Sequence, residues 1–150
     1  MNERQLKGAF LSTGNDEWAT PSYIYRQVLE LGMFDPCPLR GEIDGLSIEW
    51  EESNFVNPPY SKLRKWVYKS IEEAKKGKAV VLLIPARTET IAFRALWDYG
   101  ARFQFITGRL DYNDCGHGAP FPSMLVYLTG ENSTAEVVNK EDIRIWQKRR

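Results

Sequence analysis

Phe55-Val56-Asn57-Pro58-Pro59-Tyr60 is the stretch from which the rest of the chain can be read. An apolar pair gives way to an amide, two prolines and an aromatic ring. The residue before a proline is driven toward extended geometry, so the backbone stays extended through Asn57 and Pro58. A strand cannot run on, because two successive N–H donors are missing. The order therefore predicts a short strand ending in a stiff ledge that offers one side-chain amide, two main-chain carbonyls and one flat ring.

Such a ledge suits a planar exocyclic amine. The side-chain oxygen of Asn57 and the carbonyl of Pro58 can accept the two hydrogens of an NH2 group. Tyr60 would stack on the ring that carries the amine, and Pro59 shapes the turn. Accepting both hydrogens draws the nitrogen lone pair out of conjugation and aims it at an electrophile. Positioning and dipoles then do most of the work, with no general base of shifted pKa needed before attack. Over these four residues alone, a proline turn with a tyrosine packed beneath it reads the same way.

Outward from the ledge, the next apolar run is Ala79-Val80-Val81-Leu82-Leu83-Ile84, closed by Pro85. A continuous run of this length reads as a strand buried on both faces. Between the two, Ser61 is placed to cap a helix to about Lys76, with Leu63, Val67, Ser70, Ile71 and Ala74 inward. Its first turns carry Lys62, Arg64, Lys65 and Lys69, a solvated face or a seat for phosphate. A helix from about Glu89 to Tyr99, a strand from Arg102 to Ile106, a Gly- and Pro-rich loop from Asn113 to Ser123 and a strand from Met124 to Leu128 follow. The tail from Lys140 to Arg150 has a helical pattern.

Toward the N-terminus, Met33-Phe34-Asp35 reads as a short strand broken by Pro36 and Pro38. Thr20-Pro21 has the form of a helix start, with Thr20 as cap, Ile24, Val28 and Leu31 on one face, and Gly32 as the stop. Residues 1–17 form a polar arm. Between Leu39 and Ser53 lies an acidic loop with Leu46, Ile48 and Trp50 as its candidate anchors. Strands alternating with helices, then two strands joined by a loop, indicate an α/β sandwich with an antiparallel edge. Ligands of such sheets gather at the carboxyl ends of the strands, where Asp35, Asn57 and Pro85 are expected to converge.

Composition narrows the function classes. The 150 residues suit one domain over 18–150 behind the arm, with 43% hydrophobic and 27% charged side chains, as in an ordinary globular chain. Twenty basic and twenty acidic residues cancel, which argues against coating nucleic acid by bulk charge. No run approaches a membrane span and no signal-peptide core opens the chain, so the expected location is the cytoplasm. Cys37 and Cys115 lack a paired spacing and read as reduced thiols. His117 is the single histidine and reads as a polar loop residue, so no metal site is expected.

Thr20-Pro21, Phe34-Asp35-Pro36-Cys37, Asp44-Gly45-Leu46 with Trp50, and Asn57-Pro58-Pro59-Tyr60, in that order, resemble the phage-type DNA N6-adenine methyltransferases of the Dam type. Pro85-Ala86-Arg87-Thr88-Glu89-Thr90, Gly108-Arg109-Leu110 and Pro120-Phe121-Pro122-Ser123 resemble later segments of that family, so the likeness spans about 16–128. It implies a compact Rossmann-like sandwich that uses S-adenosylmethionine, with a mostly parallel sheet and an antiparallel C-terminal edge. Thr20 and Pro21 match the element that helps hold the methionine end of the cofactor, and Asp35 the acid ending the first strand. Pro36 and Cys37 match the pocket wall, Asp44 is a candidate contact to the adenosine, and Asn57, Pro58, Pro59 and Tyr60 match the catalytic ledge.

Two features depart from the pattern. A glycine-rich first loop is missing after Asp35, and only 22 positions lead from Asp35 to Asn57. The implied reaction is methyl transfer to the N6 amine of an adenine flipped out of DNA. Lys62, Arg87 and Arg109 are the candidate substrate contacts, with surface ion pairs as the alternative for the two arginines. Little chain is left for reading sequence, so specificity is short unless a homodimer or a partner adds contacts. Cytosine N4, a protein glutamine amide, or a non-catalytic binding module built on the same ledge are the other readings.

Overall fold

The computed structural model describes residues 18–39 and 43–146. The polar arm at 1–17 and the last four residues of the tail lie outside the described residues. Five strands form one mixed sheet: β1 (Ser53–Val56), β2 (Ala79–Pro85), β3 (Arg102–Thr107), β4 (Ser123–Tyr127) and β5 (Thr134–Asn139). Their order across the sheet is β1-β2-β4-β3-β5. Among the described residues, the helices are α1 (Ser22–Glu30), α2 (Leu63–Lys75) and α3 (Ile91–Tyr99). Among the described residues, no helix is long and apolar enough to cross a membrane.

Strand directions correct one expectation. β1 pairs parallel with β2, and β3 parallel with β5, while β4 runs against both β2 and β3. Four strands thus point one way, and the single reversed strand sits in the middle of the sheet rather than at an edge. The antiparallel β3–β4 pair is the one joined by the Gly- and Pro-rich loop. β5 carries the sequence TAEVVN, and Val137 within it is 67% exposed, so neither a buried run nor an alternation marks it as a strand. Its pairing to β3 makes it the edge.

Alternation within the strands divides the core in two. Phe55, Val81, Leu83, Leu125 and Tyr127 point to one face, where Ile24 and Val28 of α1 cover them. Val56, Val80, Leu82, Ile84, Met124 and Val126 point to the other, against Trp66, Val67 and Ala74 of α2 and Ala92 and Leu96 of α3. Every residue of β2 from Val80 to Pro85 is buried, as expected of a strand covered on both faces. At the end of α1, Gly32 takes φ +65°, the Met33 N–H reaches the Val28 carbonyl at 3.1 Å and the Gly32 N–H reaches that of Leu29. These are the paired bonds of a helix closed by a left-handed glycine. Leu31 is 41% exposed and does not join the inward face.

Three further readings change. Met33-Phe34-Asp35 forms a single bridge, Phe34 to Asn54 beside β1, because Pro36 stops the strand at once. Between Tyr60 and Lys62 the chain makes one 3-10 turn before α2, and no side chain caps either start, so Ser61 does not cap the helix. The tail makes a 3-10 turn at Lys140–Asp142 and then runs non-helical to Trp146. Tertiary contacts override its helical pattern. Gln27 of α1 donates to the Ile143 carbonyl and accepts from the Ile145 N–H, and Trp146 stacks on Tyr127 at 4.3 Å.

Candidate functional site

A cavity of about 570 Å³ opens at the carboxyl end of β1, in the size range of small-molecule sites. Trp18, Thr20, Tyr25, Asp35, Cys37, Asn57, Pro59 and Asp114 are among its lining residues. Three sequence regions meet there: the entry to α1, the segment after the Phe34 bridge, and the loop between β3 and β4. Among the described residues that line it, the charged side chains are two acids, Asp35 and Asp114. Pro85 does not join them. It is buried within β2 and pairs with Ser123.

Asn57 leaves β1 half-buried and is fixed by its nitrogen. Its Nδ2 donates to the Trp18 carbonyl at 2.6 Å and to Thr20 Oγ1 at 3.1 Å. A main-chain carbonyl can only accept, so this contact determines which end of the amide is nitrogen. The Asn57 Oδ1 and the Pro58 carbonyl receive no hydrogen bond among the described residues, whereas the Pro59 carbonyl accepts from the Lys62 N–H at 3.0 Å. Thr20 therefore serves Asn57 rather than capping α1. The helix begins one residue later than its sequence pattern suggests, with Pro21 preceding its first residue and no side-chain cap from within the segment.

That cap comes from 92 residues away. Asp114 Oδ1 accepts from the Ser22 N–H at 3.1 Å and from Ser22 Oγ at 3.2 Å, which sets a carboxylate on the positive end of α1. Its neighbour Asn113 accepts from the Ala19 N–H at 2.7 Å and donates its own N–H to the Ala19 carbonyl at 2.9 Å. Asn113 and Asp114 both hold positive φ, 64° and 48°, a region that Asn and Asp enter more readily than most residues. Asp111 closes the loop by accepting from the N–H groups of Cys115 and Gly116.

Asp35 faces the cavity with both oxygens engaged. Tyr25 donates its hydroxyl to one at 3.0 Å, and the Cys37 N–H donates to the other at 2.9 Å. Burial raises the Asp35 pKa above the ordinary carboxylate value, and these two donors offset part of that rise. Burial, reinforced by the Asp35 charge, pushes both the Cys37 thiol and the Tyr25 hydroxyl up to about 12. Pro36 is buried behind this wall, and Pro21 is buried at the helix entry.

The acidic loop is anchored rather than loose. Trp50 is buried, stacks near Trp66 at 6.2 Å and donates its indole N–H to the Gly45 carbonyl at 2.7 Å. A Cβ on Gly45 would lie 2.0 Å from the Pro36 carbonyl oxygen, so this position requires glycine. Asp44 lies outside the cavity lining. Its oxygens accept from the Leu46 N–H at 3.1 Å and the Ser47 hydroxyl at 2.6 Å, which lower its pKa and form a local turn.

Tyr60 is half-buried and edge-on to Phe121 at 5.1 Å. Lys62 is exposed at the start of α2. Arg87 forms a surface ion pair with Glu89 at 2.6 Å. Arg109 is exposed, with its stem over Gly118 and Nη1 3.4 Å from the Ala119 carbonyl. None of these three lines the cavity. Among the described residues, no three His, Cys, Asp or Glu side chains gather as a metal site.

Three lining residues, Trp18, Tyr25 and Asp114, and Asn113 next to them carried no signal strong enough to be singled out in the sequence. Adjacent Asn and Asp before a glycine do mark a turn, but not the segment that the turn would hold.

The site is thus an acid-lined cavity beside an amide fixed by its nitrogen, on a mixed α/β sheet. The family model for DNA N-6-adenine-methyltransferase (Dam) matches residues 39–144, and the chain belongs to that family. No curated protein and no solved structure matches it.

Proposed function

We propose that the chain transfers a methyl group from S-adenosylmethionine to the N6 amine of adenine in DNA, on a Rossmann-like sandwich. The observation that carries this reading is the Asn57 amide, held by its nitrogen and leaving its oxygen unused at the cavity edge. The family supplies the reaction class.

The cavity fits the cofactor by its chemistry. Among its described residues the charged side chains are the carboxylates of Asp35 and Asp114, which favour a ligand with cationic centres, and Trp18, Pro38, Leu39 and Pro59 give it apolar walls for a flat base. Asp35, Asp114, Cys37 and Thr20 are the residues that would hold it. The cofactor, when bound, supplies an electrophilic methyl group.

The chain's own part is to orient the acceptor. Asn57 Oδ1 and the Pro58 carbonyl take the two hydrogens of the adenine amine, so that its lone pair leaves conjugation with the ring. Both acceptors are set before the base arrives, and the pin to Trp18 keeps the amide from rotating. The base reaches this position flipped out of the stack, at a cost of a few kcal/mol. Tyr60 offsets part of that through its ring, whose angle Phe121 fixes. The phosphates stay outside the acidic cavity, near Lys62, Arg87 and Arg109.

The test is to incubate the protein with unmethylated DNA and isotopically labelled S-adenosylmethionine, digest to nucleosides and identify the labelled product. Labelled N6-methyladenine is the expected result. Labelled N4-methylcytosine would overturn the choice of base, and an unlabelled digest from both single- and double-stranded DNA would overturn the reaction.

A further inference from the structure

We propose that Asn113 is a positioning residue for the catalytic amide, acting on Asn57 through the main chain of Ala19 and Trp18; this rests on the methyltransferase reading above. Residues 18–20 belong to no helix or strand. Their main chain is held by two contacts to Asn113, and the Trp18 carbonyl receives Asn57. The Trp18 ring is wedged edge-on between Tyr112 at 6.1 Å and Phe121 at 5.6 Å, again from the β3–β4 loop. Among the described residues, that loop and Asn57 thus hold the Trp18 ring, the Trp18 carbonyl and the residue that follows.

Geometry makes Asn113 the specific residue in this relay. Its side-chain oxygen and its own N–H bracket the Ala19 peptide from both sides, at 2.7 and 2.9 Å. The bracketed residue directly follows the one whose carbonyl pins Asn57 at 2.6 Å. Release of Ala19 frees the Trp18–Ala19 peptide to rotate, and the Asn57 amide then loses the acceptor that defines its orientation. A loop that can meet DNA outside the cavity is in this way wired to the group that holds the target amine. Asp114 serves a different end, the start of α1.

Asn113→Gly removes the side-chain acceptor while keeping a backbone at ease with φ 64°. Asn113→Asp restores an acceptor of the same reach. The direct readout is the Asn57 side-chain amide in the NMR spectrum of isotopically labelled protein, where a hydrogen-bonded NH2 group stands apart from a solvated one. Asn113→Gly should move that signal to the solvated position, and Asn113→Asp should leave it in place. Methyl transfer should fall about tenfold or more in Asn113→Gly through kcat, with KM for DNA little changed, and recover in Asn113→Asp. An Asn57 signal unmoved in folded Asn113→Gly would overturn the proposal whatever the activity. A moved signal in a protein whose parent chain methylates nothing would uphold the relay and overturn the methyltransferase reading. In the unsubstituted protein the Ala19 N–H should exchange as slowly as the amides of α1; exchange at a free-loop rate would also overturn the proposal.

Discussion

The Asn57 amide donates its nitrogen to the Trp18 carbonyl across 2.6 Å, a contact between residues 39 positions apart. It connects the strand-end ledge to residues 18–20, which lead into α1 but belong to no helix or strand themselves. It also decides the chemistry of the ledge, because the oxygen, not the nitrogen, is left to meet a ligand.

Replacing Asn57 tests that assignment. Asn57→Ala should lower methyl transfer by about a hundredfold or more, comparable to loss of one preorganised polar contact to a reacting group. Asn57→Asp should be no better, since a carboxylate has no hydrogen to give the Trp18 carbonyl. Initial rates with labelled S-adenosylmethionine measure both. Full activity in either would remove the amide from the mechanism.

The Tyr60 ring and its hydroxyl do separate things. The ring sits edge-on to Phe121 at 5.1 Å, so Tyr60→Phe keeps that packing and removes only the hydroxyl. Unfolding free energy should change by less than about 1 kcal/mol, with methyl transfer largely retained. Tyr60→Ala should lower both stability and transfer, as shown by denaturant titration alongside rates.

Gly45→Ala should be severe for so small a change. The added methyl meets the Pro36 carbonyl oxygen at 2.0 Å and the rim of Trp66 at 2.7 Å, and a main-chain oxygen cannot swing aside. Destabilisation of about 3 kcal/mol is expected, the upper part of the range for overpacking a tight site. Pro36 follows Asp35, so cofactor affinity measured by calorimetry should fall with it.

Acid sensitivity should trace to Glu73. Its side chain is fully buried at the end of α2, and burial alone would raise its pKa. The Trp50 N–H at 2.7 Å, Lys76, Lys78 and Lys69 outweigh that effect and hold the pKa at about 2. A carboxylate depressed in the folded state contributes stability above its unfolded value, near 4.5, and loses it as pH falls toward 2. Unfolding midpoints should therefore drop between those two pH values. Glu73→Gln should flatten that limb while lowering stability at neutral pH, because three lysines lose their common partner.

Cys37 should be a slow nucleophile despite lining the cavity. With its thiol pushed up to about 12, the thiolate is scarce at pH 8, and alkylation should run roughly a thousandfold slower than for an ordinary cysteine. Mass spectrometry after timed iodoacetamide treatment reads the rate. A rate near that of a free thiol would show that Asp35 and burial do not govern it.

Legibility in the sequence followed how local each cause was. Val80 to Ile84 announced a buried strand because their own side chains fill both faces of the sheet. Gly32 announced a helix end because glycine takes a positive φ at no steric cost. Asn57-Pro58-Pro59 announced a strand end because proline removes donors from its own backbone. β5 and the tail from Ile143 to Trp146 were not legible. Their order comes from β3, Gln27 and Tyr127, and their own residues carry no period that points there.

The same division runs through the site. The amino-acid order alone placed Asp35 and Asn57 at converging strand ends and gave the family likeness that the Dam match bears out. The tertiary structure alone turned Thr20 from a helix cap into an acceptor for Asn57, kept Asp44 in its own turn, and brought Asn113 and Asp114 to the entry of α1. Each of these depends on a hydrogen bond whose partner is chosen by distance in space. A side chain with one acceptor oxygen has several candidate donors along the chain, and only folding decides which comes within 3 Å.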